Sequence, residues 1–219
     1  MSETNTLAAA KAHTKKYVSI LRSRLLGAGK VDPSWYLAVD ALECSIEVHA
    51  DQIRKGTGGP YIIHPVEATM YVMTLPDLIK PIETIAVTLL HDAMEDGNLR
   101  YNEFVSRFGS EVADGVEAIS KVVDGVKKTP AEYQAGLARS RTASIAKPAD
   151  RGNNQNTMGE AWTPEKQLSY VQEAEEEILP MIKIARRRFC QQELAYENAK
   201  LLLRTQISMV RAMHKQYAA

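Results

Sequence analysis

Residues 85–96 of the chain carry the sequence IAVTLLHDAMED. The first half is almost wholly apolar, which predicts a helix in the centre of a hydrophobic core. The second half places four polar side chains on one stripe of that helix, within an arc of roughly 140°. These are His91, Asp92, Glu95 and Asp96. Such a stripe destabilises a buried helix unless a cation or solvent compensates. An exposed acidic face is the simpler alternative, which the apolar residues before it disfavour.

Helical periodicity dominates the remaining chain, and alternating strand patterns are not convincing. Asp32 and Pro33 suit the start of a helix, and Gly97 suits a C′ position after one. Residues 124–142 are poorer in apolar periodicity and are typical of a loop with some helix. Helices are predicted at about 6–27, 33–55, 64–74, 81–96, 101–108, 110–123, from about 150 onward, 163–188 with a bend at Pro180, and 189–216. The fold class expected is all-α, with a single domain over residues 1–219.

Composition excludes several classes of partner. Lys plus Arg and Asp plus Glu both total 27, so the formal net charge is zero and no global field attracts DNA, RNA or a membrane surface. The two cysteines, Cys44 and Cys190, lie far apart, which favours a reducing compartment. Neither a signal peptide nor an apolar run of roughly 20 residues is recognisable. We therefore expect a cytoplasmic protein.

The adjacent His91 and Asp92 can supply one nitrogen and one oxygen ligand to a divalent metal. A catalytic site needs further protein ligands and must leave positions for water. Candidates elsewhere are His64, which precedes a proline, and Asp150, which precedes an arginine. Taken alone, the first pattern is more typical of a structural histidine and the second of a helix cap or ion pair. Their order along the chain makes a shared metal site the sharper hypothesis.

Ordered sequence blocks strengthen this hypothesis. They are His49-x-x-Gln52-x-Arg54 followed by Pro60-Tyr61-Ile62-x-His64-Pro65, then Leu89-Leu90-His91-Asp92-x-x-Glu95-Asp96, then Lys147-x-Ala149-Asp150-Arg151-x-x-Asn154, and finally the helix after Trp162. In this order the blocks resemble the hydrolase domain of RelA/SpoT-type enzymes, and especially the stand-alone small alarmone hydrolases. A His-Asp pair alone is weak support, whereas the ordered set is specific.

The resemblance implies an HD-domain helical bundle with a core at about 33–188 and additional helices at about 6–27 and 189–216. It also implies one Mn²⁺ per chain, although the residues alone leave other divalent metals open. The implied ligands are His64, His91, Asp92 and Asp150. Glu95 and Asp96 match the pair that orients and deprotonates the attacking water. The implied reaction removes the 3′-pyrophosphate of a ppGpp-class nucleotide, giving a nucleoside 5′-di- or triphosphate and pyrophosphate.

The implied partner is a purine alarmone nucleotide. Arg54 matches an arginine that stacks on the purine base, and Lys55 occupies the adjacent position near the nucleotide. Asn154 and Thr157 match positions that line the nucleoside pocket. Residues around these positions depart from the family pattern, which leaves adenine alarmones (ppApp and pppApp) open beside ppGpp and pppGpp.

Several expectations concern the surroundings of the site. His49 is interpreted as a structural, partly buried histidine. Pro148 replaces a leucine of the family and predicts that a helix begins there, with Asp150 in its first turn. One or two of the cations in the stretch before Asp150 could bind the pyrophosphate, most being surface charges. These cations are Lys127, Lys128, Arg139 and Arg141.

Other functions stay open at this point. A different HD-family nucleotide phosphohydrolase or phosphodiesterase would share the His-Asp pair, but would not need the blocks around Arg54 and Asn154. An inactive HD module that binds nucleotide or acts as an antitoxin would lack a ligand or the acidic pair, and all are retained. No synthetase is expected in the roughly 30 residues after the hydrolase block. The terminal helices fit either a cap on the core or the interface of a homo-oligomer.

Overall fold

The computed structural model of the protein describes residues 3–56, 58–97 and 99–215. The described part is helical apart from one short hairpin, which confirms the all-α prediction. Its helices are α1 Glu3–Val31, α2 Tyr36–Val48, α3 Ile63–Val72, α4 Pro81–Leu90, α5 Ala93–Asp96, α6 Tyr101–Phe108, α7 Ser110–Ile119, α8 Pro130–Arg139, α9 Ala143–Thr157, α10 Pro164–Glu173, α11 Leu179–Arg188 and α12 Glu193–Met213. The hairpin pairs β1 Val122–Val123 with β2 Val126–Lys127. None of the helices described combines the length and apolar character needed to cross a bilayer.

Helix α4 lies at the centre of the core, where it packs against α2, α3, α7 and α9. Every residue of α4 from Thr84 to Leu90 is buried. Each large apolar side chain buried in this way contributes about 1.5–3 kcal/mol to folding. The apolar first half of the 85–96 segment therefore forms the central helix that the sequence predicts.

The second half of that segment does not continue the helix. The prediction of one helix over 81–96 is wrong, because α4 ends at Leu90 and a separate short helix, α5, follows after His91 and Asp92. The last carbonyls of a helix lack intrahelical donors. One of them, the Thr88 carbonyl, accepts a hydrogen bond from Nδ1 of His91 at 2.8 Å. The turn thus places His91 and Asp92 at a helix end rather than on a continuous stripe.

Gly97 is also not the left-handed C′ residue expected, since its φ is −98°. The absence of a side chain at Gly97 instead allows α5 and α2 to approach each other closely. A Cβ atom there would lie 2.7 Å from the Ala93 carbonyl and 2.9 Å from Cγ1 of Val48. The glycine therefore lets α5 lie directly against α2.

Helix α9 starts earlier than predicted. It begins at Ala143, so Pro148 lies inside the helix and Asp150 lies near its middle, not in a first turn. A proline inside a helix costs about 3 kcal/mol, because it removes one hydrogen bond and crowds the preceding turn. The early turns are nevertheless held by packing, since Ala143, Ile145 and Ala146 are fully buried. The helix N-terminus therefore does not stabilise the Asp150 carboxylate.

Two further local predictions change. Asp32 caps its helix as expected, accepting from the Ser34 amide at 3.0 Å, but α2 ends at Val48 and not near Lys55. The hairpin is not predicted from the sequence, although Asp124-Gly125 is a strong hairpin signal. Both residues have positive φ, 48° and 77°. Strand β1 lies at the end of the helix predicted over 110–123, because α7 ends at Ile119, and β2 lies within the 124–142 segment. A π-helical segment, Ala174–Ile178, joins α10 to α11, and Pro180, where the sequence predicts a bend, lies in the first turn of α11.

The terminal helices pack on different helices of the core, α1 against α2 and α3, and α12 against α9, α10 and α11. Not every apolar residue of α12 faces the core, because Leu194, Leu201 and Met213 are exposed. The buried face of α12 consists of Ala195, Tyr196, Ala199, Leu203, Gln206, Ile207 and Val210. The last predicted helical residue, 216, lies outside the described residues.

Candidate metal and nucleotide site

Four side chains from three separate segments converge at one point. Nε2 of His64, on α3, lies 3.1 Å from Nε2 of His91 and 3.1 Å from Oδ1 of Asp150, on α9. Nε2 of His91 lies 3.0 Å from Oδ2 of Asp92 and 3.7 Å from Oδ1 of Asp150. The structure therefore brings together all four residues that the sequence proposes as metal ligands.

Both histidines turn the same nitrogen toward the cluster. Nδ1 of His91 lies 2.8 Å from the Thr88 carbonyl, which can only accept, so this nitrogen carries a proton. Nδ1 of His64 lies 2.7 Å from Oδ1 of Asn153 and donates in the same way. Each imidazole thus turns its Nε2 to the centre, the nitrogen that can bind a metal when it is deprotonated.

The cluster attracts positive charge. Burial lowers the pKa of His91, but the carboxylate of Asp92 and then that of Asp150 outweigh it and raise the pKa to about 9. Burial raises the pKa of Asp92 and of Asp150, yet neighbouring positive charge lowers both overall, from His91 for Asp92 and from Lys147 for Asp150. Two imidazole nitrogens and two carboxylates suit a borderline-hard divalent cation. The donor set therefore fits a divalent metal, and His64, His91 and Asp92 meet in a ligand-sized cluster.

Three hydrogen bonds orient the carboxylates, one of them from Nδ2 of Asn154 to Oδ1 of Asp150 at 2.6 Å. The buried ammonium of Lys147 lies 2.7 Å from Oδ2 of Asp150, which leaves Oδ1 facing the histidines. The Tyr61 hydroxyl donates to Oδ2 of Asp92 at 2.6 Å. Burial and the Asp92 charge raise the pKa of Tyr61, so this hydroxyl stays protonated and remains a donor.

A cleft of about 510 Å³ opens beside the cluster, a size within the usual range for small-molecule sites. Its lining includes every residue proposed for substrate binding, namely Arg54, Lys55, Asn154 and Thr157, together with Tyr61 and Asp96. Arg54 is buried, and its Nη2 donates to Asn153, Asn154 and Thr157 oxygens at 3.2, 3.0 and 2.8 Å. Lys55 is exposed at the rim. The guanidinium plane of Arg54 is therefore held in one place.

The two acidic residues after the His-Asp pair point to different neighbours. Asp96 lines the cleft, and burial together with the charge of Asp92 raises its pKa. Glu95 does not line it; its Oε1 accepts from the backbone amides of Lys121 and Val122, at 3.2 Å for the second. Of these two residues only Asp96 therefore faces this cleft, while Glu95 holds the start of the hairpin.

His49 acts on Asp96 through Gln52. It is fully buried rather than partly buried, and its Nδ1 lies 2.8 Å from Oε1 of Gln52. The Gln52 side chain in turn hydrogen-bonds to Asp96, which favours the charged carboxylate. The structural histidine of the sequence therefore supports the acidic side chain in the cleft.

The cations of the variable stretch are engaged elsewhere or face solvent. Arg141 pairs with both carboxylate oxygens of Glu111, at 2.9 and 2.7 Å. The Lys128 ammonium donates to the Glu117 carbonyl. Lys127 and Arg139 are exposed and line a different cleft, beside Glu117. We find no described contact that joins any of them to the metal cluster.

Sequence reasoning assigned no chemistry to four residues that shape the site. Each lies three positions from a proposed ligand: Tyr61 and Glu67 flank His64, and Lys147 and Asn153 flank Asp150. Residues three apart lie on the same face of a helix. That spacing is the signal that could have identified Glu67, Lys147 and Asn153, which share a helix with the ligand, whereas Tyr61 lies before the start of α3.

Comparison with known proteins agrees with this geometry. A family model described as HD domain matches residues 41–148. The chain is 44% identical over 82 residues to a guanosine-3′,5′-bis(diphosphate) 3′-pyrophosphohydrolase of Aquifex aeolicus, covering 37% of this chain and 11% of that protein. It is 30% identical over 143 residues to the bifunctional (p)ppGpp synthase/hydrolase SpoT of Escherichia coli, covering 62% of this chain and 20% of that protein. The chain thus spans a fifth or less of the length of these two curated relatives.

A solved structure has a similar fold. It is described as a metazoan ortholog of SpoT that hydrolyses ppGpp, and it superposes with a TM-score of 0.60 at 19% sequence identity. The match covers 77% of this chain and 94% of that one. At this identity the similarity concerns the arrangement of helices alone.

Proposed function

We propose that this chain carries a RelA/SpoT-type HD hydrolase domain and removes the 3′-pyrophosphate of a purine alarmone nucleotide in a metal-dependent hydrolysis. The observation that carries the proposal is the convergence of His64, His91, Asp92 and Asp150 beside a cleft that holds Arg54 and Asp96. The products would be a nucleoside 5′-di- or triphosphate and pyrophosphate.

An HD domain implies a divalent metal, and we propose Mn²⁺, one ion per chain. The same four side chains would hold it through two nitrogens and two oxygens, a set that Fe²⁺ or Zn²⁺ could also accept. When bound, such an ion makes water more acidic and offsets negative charge on phosphoryl oxygens. Tyr61 and Lys147 fix the orientation of the two carboxylates by their hydrogen bonds.

Asp96 is the proposed proton acceptor. Its carboxylate lies in the cleft, and its raised pKa makes it a better base than an exposed aspartate. It takes a proton from the water that attacks the phosphorus of the leaving pyrophosphate, and the 3′-oxygen of the ribose gains a proton as its bond to phosphorus breaks. Glu95 supports this step from outside the cleft by holding the backbone of Lys121 and Val122.

The nucleoside would lie against Arg54. Three oxygen acceptors fix the arginine plane, which suits stacking on a purine base, and the buried guanidinium provides the positive charge. Lys55 at the rim would attract the phosphates, while Asn154 and Thr157 line the nucleoside side. We propose no nucleic-acid or membrane partner. A cytoplasmic setting is supported by two unpaired thiols, Cys44 and Cys190.

The direct test is turnover of a nucleotide panel. Purified protein with MnCl₂ is expected to release pyrophosphate from at least one of ppGpp, pppGpp, ppApp and pppApp, and to stop when a chelator removes the metal. Comparison of the four rates also decides between guanine and adenine. The panel includes cyclic nucleotides and nucleoside monophosphates as competing substrates.

Two outcomes would contradict the proposal. Turnover of cyclic nucleotides or monophosphates alone would favour another HD-family phosphohydrolase or phosphodiesterase. Tight alarmone binding without turnover in Mn²⁺, Fe²⁺ or Zn²⁺ would favour an inactive nucleotide-binding or antitoxin module.

Replacing Arg54 by lysine is expected to raise KM by about 10- to 100-fold with little change in kcat. Lysine retains the charge but loses the planar surface and the fork of donors, and each hydrogen bond to a charged group contributes about 1.5–3 kcal/mol. Steady-state kinetics with the preferred alarmone measure KM and kcat separately. The matched control is Arg107→Lys, because Arg107 pairs with Asp40 on the surface. An unchanged KM in Arg54→Lys would remove Arg54 from the nucleoside site.

A further inference from the structure

Two residues lie one helical turn beyond proposed metal ligands and hydrogen-bond to each other. Glu67 follows His64 on α3, and Asn153 follows Asp150 on α9, by three positions in both cases. Nδ2 of Asn153 donates to Oε2 of Glu67 at 2.9 Å. Because α3 and α9 pack against each other, this contact lies beside the metal cluster.

The amide oxygen of Asn153 accepts from two donors that serve different parts of the site. One is Nδ1 of the proposed metal ligand His64, at 2.7 Å, and the other is Nη2 of the nucleoside-binding Arg54, at 3.2 Å. All three side chains are buried. A single amide oxygen therefore joins the metal cluster to the nucleotide cleft.

Only one orientation of the Asn153 amide satisfies these neighbours. His64 Nδ1–H and Arg54 are donors and need the oxygen, whereas the Glu67 carboxylate is an acceptor and needs the nitrogen. The reversed amide would set donors against donors and a carbonyl oxygen against a carboxylate. Buried groups left without partners cost about 1–3 kcal/mol each. Glu67 thus determines which end of the amide faces His64.

We propose that Glu67 and Asn153 are positioning residues that couple the metal ligand His64 to Arg54. Glu67 locks the Asn153 amide, the amide holds His64 with Nε2 toward the cluster, and the same oxygen holds the Arg54 guanidinium. The inference rests on the proposed function for the roles of His64 and Arg54.

The N-terminal helix contributes the outermost contact. Nε2 of His13, on α1, lies 3.2 Å from Oε1 of Glu67, and His13 is about half exposed. A second polar contact ties α1 to α2, where Arg22 binds both carboxylate oxygens of Glu43 at 2.6 and 2.8 Å. Glu43 has no described contact with Asn153, so it offers a matched control for loss of an α1 contact.

The test measures Mn²⁺ affinity by titration calorimetry on the full chain. Loss of a group that orients a metal-binding histidine weakens metal binding by about 10- to 100-fold. We expect that loss in Asn153→Ala and about a tenfold loss in Glu67→Ala. Glu67→Gln keeps an oxygen that accepts from Asn153, so its affinity should stay within about threefold of wild type. Glu43→Ala should bind Mn²⁺ like wild type.

Kinetics supply the second readout. At saturating Mn²⁺, Glu67→Ala and Asn153→Ala should raise KM for the alarmone more than they lower kcat, because Arg54 loses an acceptor. Glu67→Ala that binds Mn²⁺ as tightly as wild type would overturn the inference. The inference would also be overturned if Glu67→Gln bound Mn²⁺ as weakly as Glu67→Ala. The charge of Glu67, and not its orientation of the Asn153 amide, would then determine the Mn²⁺ affinity. Should Asn153→Ala fail to fold, the two Glu67 variants alone give the answer.

The inference and the proposed function can fail separately. If wild type turns over no alarmone but the Mn²⁺ affinities rank as expected, the positioning inference stands for the metal site and the proposed function falls. If alarmone turnover is present but Glu67→Ala leaves Mn²⁺ affinity and KM unchanged, only the inference falls.

Discussion

Asp92→Asn is expected to lower alarmone hydrolysis by about 10⁴-fold, equivalent to about 5.5 kcal/mol of transition-state stabilisation. The substitution removes one of the two carboxylates of the cluster and with it the charge that draws a cation to the paired histidines. Cation catalysis of phosphoryl transfer supplies several kcal/mol, so loss of the ion has an effect of this size. The rate of pyrophosphate release with excess MnCl₂ measures the loss of hydrolysis, and titration calorimetry measures the loss of Mn²⁺ affinity.

The fold should survive this change. Asparagine has the size of aspartate, and its amide oxygen can still accept from the Tyr61 hydroxyl. The matched control is Asp114→Asn, at an exposed aspartate on α7 that accepts from the Tyr101 hydroxyl. Asp114→Asn should keep wild-type turnover. Retention of more than about a tenth of the rate in Asp92→Asn would show that Asp92 is not a ligand of a catalytic ion.

Gly115→Ala is expected to destabilise the protein by about 3 kcal/mol, at the upper end of the cost of overpacking a core. Gly115 is buried on α7 against α4, and a Cβ atom there would lie 2.5 Å from Cγ2 of Val87 and 2.5 Å from Oγ1 of Thr142. Neither neighbour is the far end of a flexible side chain. For a chain of this length the loss corresponds to a fall in Tm of about 6–12 °C, measurable by thermal unfolding.

The same substitution at Gly136 is the control. Gly136 lies inside α8, and its nearest neighbour to a new Cβ is the Ala118 carbonyl at 3.9 Å. Alanine there should stabilise the protein by about 0.5–1 kcal/mol, because glycine weakens a helix interior. Equal Tm values for the two variants would mean that α7 and α4 are not packed as described.

Much of the fold follows from apolar periodicity in the sequence. The buried run before His91 predicted α4 as the central helix, and α4 is buried over Thr84–Leu90. Helix ends that depend on specific polar contacts were harder to predict from the sequence. Periodicity alone extended the helix through Asp96, because it carries no information about the donor that the Thr88 carbonyl finds in His91. The start of α9 was missed for the opposite reason, since burial of the early turns outweighs the penalty of Pro148.

The proposed metal ligands could be predicted from the sequence, whereas the residues that orient them were harder to predict. His64, His91, Asp92 and Asp150 could be named from the sequence, and the structure places a nitrogen or oxygen atom of each within 3.1 Å of another member of the set. Their chemical roles stay a prediction until a metal is titrated. The partners Tyr61 and Asn153 act on ligands of other segments, and Thr88 acts through its backbone carbonyl, so these contacts depend on packing. Lys147 lies on the same helix as Asp150, so its contact follows from helical spacing.

The two histidines differ in how easily a substitution elsewhere can disturb their orientation. His91 donates to the main-chain carbonyl of residue 88, which every amino acid at that position supplies. His64 depends on the side chain of Asn153, which a change of codon can remove. Natural variants that lose asparagine at 153 should therefore carry a compensating acceptor for His64, whereas replacement of the residue 88 side chain demands no such partner.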